Sequence, residues 1–300
     1  MLDMPNIVTA VAIISGIVGT ATFVPTTLAW LEARRQRQLT EKAAPAATGA
    51  RTAVRDSVWR CGIYDYPPLG QWSAGPGADP TGPLPELGRQ IGFELGKAIK
   101  FEFFSYDGFY AEDDALPDMV VGMFETKKRA ERMVFSRPVY EIGLQGICRT
   151  DQKGDVLAGL REGQLKAAVY KGEVGWEFLR DELPDAVATH RFVEVAGGHQ
   201  MDTMIYLSEG RYDVVLMDSL SCFNFLRQKS NENRFRLAFE EPLKKYPTCL
   251  ALNKRHGALL ASLNEAILKI RNSKEYLRSE SAALHGYEKV IQRRGLRASV

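Results

Sequence analysis

Apolar residues recur along this chain in two rhythms. Short runs without alternation, at residues 119–121 and 212–217, suit strands buried on both faces of a parallel sheet. Elsewhere apolar residues return every three or four positions, the mark of an amphipathic helix. Leu87, Ile91 and Leu95 do so within 84–97, Met201, Met204, Ile205 and Leu207 before Gly210, and Leu259, Leu260, Leu263, Ile267 and Ile270 further on. In chain order the pattern predicts strands at 59–64, 99–104, 119–121, 165–170, 192–195, 212–217 and 243–252. Helices are expected over 84–97, from Trp176, over 201–210, 219–228 and 259–270, and over 274–291. Strands alternating with helices predict an α/β fold with parallel sheet.

One apolar run stands apart. Residues 7–30 carry no charge, and at helical rise they are long enough to cross a bilayer. Pro25 kinks that helix near its end and Trp30 suits an interface. A cleaved signal peptide fits less well, since Asp3 and no Lys or Arg precedes the run. The expectation is a single-pass anchor over 1–32, a flexible Ala- and Thr-rich linker over 33–56, and a globular part over 57–300. Arg34, Arg35 and Arg37 follow the apolar run, which by the positive-inside rule favours a cytoplasmic soluble domain.

Composition narrows the chemistry. Lys and Arg number 39 against 37 Asp and Glu, so nothing calls for nucleic acid. Cys61, Cys148, Cys222 and Cys249 sit in apolar runs with no Cys-x-x-Cys pair and read as buried free thiols. The four histidines are scattered, and no phosphate loop, dinucleotide fingerprint or nucleophile elbow is present. Glu112, Asp113 and Asp114 read as a solvated loop. No cofactor, metal or catalytic group is expected.

Candidate binding chemistry gathers in residues 118–136. Gly122 lets the chain turn sharply or approach a ligand. Thr126 caps a short helix whose first turn holds Arg129, so a cation and free amides converge on a spot suited to a carboxylate. The structural alternative is an Arg129 ion pair with Glu125 or Glu131. Asp218 ends a buried strand, where open α/β sheets bind ligands, and equally serves as cap for the helix that follows. Tyr64 and Tyr66 border Pro67 and Pro68, and the Gly- and Pro-rich loop at 71–83 is long enough to cover a cleft.

The spacing Gly122-Met123, Thr126, Arg129, Phe135-Ser136 resembles the type 2 solute-binding proteins of the polar amino-acid transport family, family 3. The likeness spans about 57–285. It implies a periplasmic-binding-protein-like domain of two lobes, lobe 1 about 57–142 and 247–300, lobe 2 about 148–240, with crossings at 138–149 and 243–252. It also implies a position outside the cytoplasmic membrane, against the arginine argument. By the resemblance, Arg129 and Thr126 hold a ligand carboxylate, Asp218 an amino group, and Tyr64, Tyr66 and Phe124 the walls. Phe124 stands where the family has a small residue, and Glu173 and Val174 stand where it has hydroxyl residues.

The function so implied is a membrane-tethered module binding an amino acid or related carboxylate, not an enzyme, beside a permease, sensor or other membrane complex. Two alternatives stay open: a scaffold subunit with a degenerate cleft, and a dehydratase-like enzyme with Glu173 as general acid.

Overall fold

The computed structural model describes residues 58–72, 79–104, 109, 116–185, 192–195, 200–231 and 233–294. The expected anchor at 7–30, the linker, the acidic run 112–114 and the tip of the 71–83 loop lie outside the described residues. All described residues belong to one compact unit, Ala50–Trp72 with Asp79–Val300. No helix among them is long and apolar enough to cross a membrane.

The chain opens on β1 (Val58–Ile63) and continues into α1 (Pro83–Glu94), with Pro83 at its start, where the missing amide costs no helical bond. Then come β2 (Ala98–Phe103), β3 (Met119–Phe124), the single turn α2 (Lys127–Ala130), β4 (Met133–Phe135) and the long β5 (Tyr140–Arg149). The second half holds α3 (Val156–Arg161), β6 (Ala167–Tyr170), α4 (Val174–Glu182), β7 (Phe192–Val195), α5 (Gln200–Ser208), β8 (Val214–Asp218), α6 (Ser219–Leu226) and β9 (Phe235–Leu237). The chain returns through β10 (Lys244–Asn253), a 3-10 turn (Lys254–Leu259), α7 (Leu260–Arg271), α8 (Lys274–Ala283) and β11 (Ile291–Arg293). Among the described residues, the last stretch departs in kind from the sequence pattern. The helix expected over 274–291 ends at Ala283, because Ile291 is more stably placed in the core against Ile142 than on a continued polar helix.

Two strands explain why the body has two lobes. The sheet runs β2-β1-β3-β10-β5-β8-β6-β7. β5 and β10 are antiparallel neighbours only where Tyr140–Leu144 faces Lys244–Thr248. Beyond Leu144, β5 exchanges its partner for β8. Beyond Thr248, β10 pairs with β3. Each crossing strand therefore gives one half to each lobe, pairing antiparallel with β3 in the first and β8 in the second, and a short antiparallel seam joins the two halves of one sheet. In the first lobe β1 lies parallel to β2 and β3; in the second, β6 lies parallel to β7 and β8.

β3 is buried at every position. Strict alternation would turn Met119, Val121 and Met123 to one face. Instead Met119, Val121 and Phe124 join the main core, and Val120 and Met123 join a smaller cluster with Phe104 and Met133. The cause is a β-bulge. Gly122 sits at φ 84°, and the pairing with β10 slips there, Met123 facing Cys249 and Val121 facing Leu250. The bulge re-aims Phe124 and the residues after it.

All four cysteines are buried and unpaired. Behind the seam, Glu280 is fully buried, accepts hydrogen bonds from Tyr140 at 2.7 Å and Arg271 at 3.0 Å, and meets Arg293 at 3.2 Å. This network ties α7, α8 and β11 to the start of β5.

Candidate functional site

The site is built where strand ends of both lobes approach the seam. On the first lobe, the bulge at Gly122 carries the chain into Thr126, an extended residue whose Oγ1 accepts the Arg129 amide at 3.2 Å. That cap fixes the single turn and aims Arg129 out of it. The side chain crosses the seam. Nη1 donates to the Phe124 carbonyl at 3.1 Å, Nη2 donates to the Gly172 carbonyl of the second lobe at 2.9 Å, and Nε lies 3.2 Å from Glu177 Oε1. The Arg129 side chain has no solvent exposure and that of Glu177 has 8%.

The ion pair with Glu125 or Glu131 considered from the sequence is thus replaced by one with Glu177. The physical reason is direction: the guanidinium points away from its own short helix. Beside it, Lys128 lies 4.3 Å and Arg180 4.5 Å from the ring centre of Trp176, a second contact between α2 and α4.

On the second lobe, α4 starts at Glu173, which stands at the cap position without a side-chain cap bond. Gly175 lets this helix lie directly on β8, since a Cβ there would sit 3.0 Å from the Leu216 carbonyl oxygen. Glu173 is thereby brought near Asp218. Burial pushes the Glu173 carboxyl up to about 8, the Asp218 charge adds to the rise, and Arg129 opposes it.

Asp218 caps α6 and receives a lobe-1 residue at once. Its Oδ1 accepts the Ser221 amide at 2.9 Å and the Tyr66 hydroxyl at 2.5 Å, and its Oδ2 accepts the Ser221 hydroxyl at 2.7 Å. Burial raises the Asp218 carboxyl above its ordinary range, while the Tyr66 and Ser221 hydrogen bonds pull it back. Tyr66 is held by paired backbone bonds with Gly70, and Asn224 of α6 donates to the Pro67 carbonyl at 2.6 Å.

Phe124 packs edge-on against Tyr66 at 6.4 Å and Tyr246 at 6.1 Å between ring centres. Tyr64 goes elsewhere. Its ring meets Phe104 at 5.3 Å, in the cluster on the other face of β3. Six of the seven expected residues, Tyr66, Phe124, Thr126, Arg129, Glu173 and Asp218, come together; Tyr64 does not. Glu177 and Tyr246 also line the site and were not legible beforehand. Glu177 hides among Trp176, Phe178 and Leu179, and Tyr246 sits on a strand whose partner only the fold reveals. No group of acidic, His or Cys residues fit to hold a metal occurs among the described residues.

The model of the bacterial extracellular solute-binding proteins, family 3, matches residues 60–282. No curated sequence matches closely enough to count as a relative. Among solved structures, the chain is similar to a histidine kinase sensor domain with similarity to periplasmic binding proteins, at TM-score 0.65 and 20% identity over 80% of this chain and 100% of that one. It is similar to the P235GK mutant of the arginine-binding protein from T. maritima, at TM-score 0.61 and 20% identity over 77% and 97%. It is also similar to the solute receptor for L-cysteine of Neisseria gonorrhoeae, at TM-score 0.65 and 18% identity over 80% and 97%. At such identities these structures establish the two-lobed fold and no more.

Proposed function

This chain belongs to family 3 of the bacterial extracellular solute-binding proteins, and from that premise we propose that it binds a small polar ligand carrying an amino group at the seam between its lobes. The observation that supports this best is Asp218. Its buried carboxylate stands at a strand end, bonded to Tyr66 of the other lobe and close to Glu173, with the Phe124 and Tyr246 rings beside it. A carboxylate so placed recognises an ammonium group, and the rings supply apolar walls. Similar structures whose names specify arginine or L-cysteine keep amino acids within the ligand class to be screened.

The uncharged run 7–30 would tether the module to a membrane. With the family being extracellular, the domain would face outward despite Arg34, Arg35 and Arg37. The likeness to a histidine kinase sensor domain favours a sensing or transport partner in that membrane. Phosphatase fused at the C-terminus should be active and a fluorescent protein there dark; the opposite pattern would place the domain in the cytoplasm.

Titration calorimetry of the full chain with amino acids and simple amines tests the binding role. Asp218→Asn keeps a capping oxygen but removes the charge, and should weaken the best ligand by roughly tenfold or more. Unchanged affinity would remove Asp218 from the site.

A second reading has its own observation. Arg129 is wholly covered by protein groups and Phe124 is 3% exposed at the centre of the seam. That arrangement also suits a scaffold subunit whose lobes stay latched, and such a protein would bind none of the compounds in the titration. The enzymatic reading has Glu173 alone to support it, and the family it belongs to consists of binding proteins.

A further inference from the structure

Arg129 is the cation that a ligand carboxylate would seek at this seam, and protein groups already surround it. Two carbonyl oxygens, from Phe124 and Gly172, take its terminal nitrogens, and the Glu177 carboxylate lies against Nε. Nothing of the side chain reaches solvent. A carboxylate arriving with a ligand would have to expel Glu177. It would leave that group buried without its cation, which is the costly way to break a buried pair.

Resting on the binding reading above, we propose that Glu177 is a built-in carboxylate that occupies Arg129 and so sets the ligand class: a small primary amine without a free carboxylate, its ammonium held at Asp218. Once Arg129 and Glu177 neutralise each other, Asp218 leaves this part of the seam negative, which attracts cations and repels anions. Asp218 already accepts from the Tyr66 hydroxyl, the Ser221 hydroxyl and the Ser221 and Leu220 amides, so an ammonium would take the place of the Tyr66 hydroxyl, the donor that reaches it from the other lobe. Glu173 offers a second oxygen pair nearby. Among the described residues its side chain makes no hydrogen bond or ion pair. Phe124, Tyr66 and Tyr246 give the ammonium aromatic surface. Glu177 itself touches no ligand in this arrangement. It acts by denying Arg129 to one.

Matched pairs that differ only by the carboxylate test this: 1,5-diaminopentane against lysine, agmatine against arginine, and 2-aminoethanol against serine. Calorimetry and thermal unfolding of the full chain should show the amine of any binding pair to be roughly tenfold tighter than its parent amino acid. E177Q, which keeps the side chain's shape, should close that gap by letting the parent amino acid reach Arg129, and a far-ultraviolet melt confirms that the variant is folded. A parent amino acid that binds wild type as tightly as its amine, or more tightly, overturns this proposal and leaves the binding reading standing. Silence of every compound at about 10 mM overturns both, since an affinity weaker than that is no receptor's.

Discussion

Glu173 and Asp218 are two carboxyl groups at one corner of the seam; burial raises both, and the Asp218 charge raises Glu173 further. Glu173 titrates at about 8 in the folded chain against an ordinary 4.5. Between those values the folded protein holds a proton that the unfolded chain has lost, so stability falls as pH rises from about 4.5 to about 8. Glu173→Gln should flatten that decline in urea titrations run across this range, with its largest gain above pH 8. The same group links binding to protons. An ammonium drawn between Glu173 and Asp218 favours the charged carboxylate, so amine affinity should rise with pH up to about 8, with proton release seen by calorimetry in buffers of different ionisation heat. At the seam's other end, Arg129→Met should cost about 3–5 kcal/mol, because Glu177 is left buried and uncompensated. The double change R129M/E177M should recover most of it, as measured by chemical denaturation. The spacing from Gly122 through Thr126 to Arg129 was legible because it is local chemistry: a bulge, a cap and a turn. The partner of Arg129 was not. Glu125 and Glu131 are neighbours in sequence, whereas Glu177 becomes a neighbour only when the lobes meet.

At the scale of elements, the bulge in β3 decides what faces the seam. Gly122 lies at φ 84°, and a Cβ there would come within 2.5 Å of Leu84 Cδ1. Gly122→Ala should therefore cost about 1–3 kcal/mol from strain and crowding together, read from urea midpoints. Its further effect should be to disturb Phe124, seen as altered near-ultraviolet dichroism. The strand itself was plain from its unbroken apolar run. The phase change inside it was not, because Met-Val-Val-Gly-Met-Phe offers no polar residue to mark which side is which. The end of the chain shows the same limit. Residues 284–291 carry helical spacing, yet Ile291 is placed by a strand partner, Ile142, that lies far away in sequence. Helices such as α1 and α7 came through because an apolar stripe at helical spacing has few other uses.

At the scale of the whole molecule, the two lobes share one hydrogen-bonded ladder where β5 meets β10, and side chains latch them above it. Tyr66 to Asp218 and Asn224 to Pro67 hold a lobe-1 loop on the start of α6. The double variant Y66F/N224A should speed amide hydrogen exchange over residues 66–71 and 219–224 and leave 119–124 protected. Equal rates in both proteins would mean that the shared ladder alone keeps the lobes together. The α/β class was legible from alternation alone. The division into lobes was not periodic in the sequence; it arises from two strands that change partners midway.

The buried thiols turn this architecture into its own gauge. Cys61 belongs to β1, Cys222 to α6, and Cys148 and Cys249 to the two crossing strands, and burial raises the pKa of all four. Protonated and shielded, they stay inert to alkylating probes until their surroundings part. The order in which they become labelled would therefore chart which lobe loosens first, without a single foreign reporter in the chain.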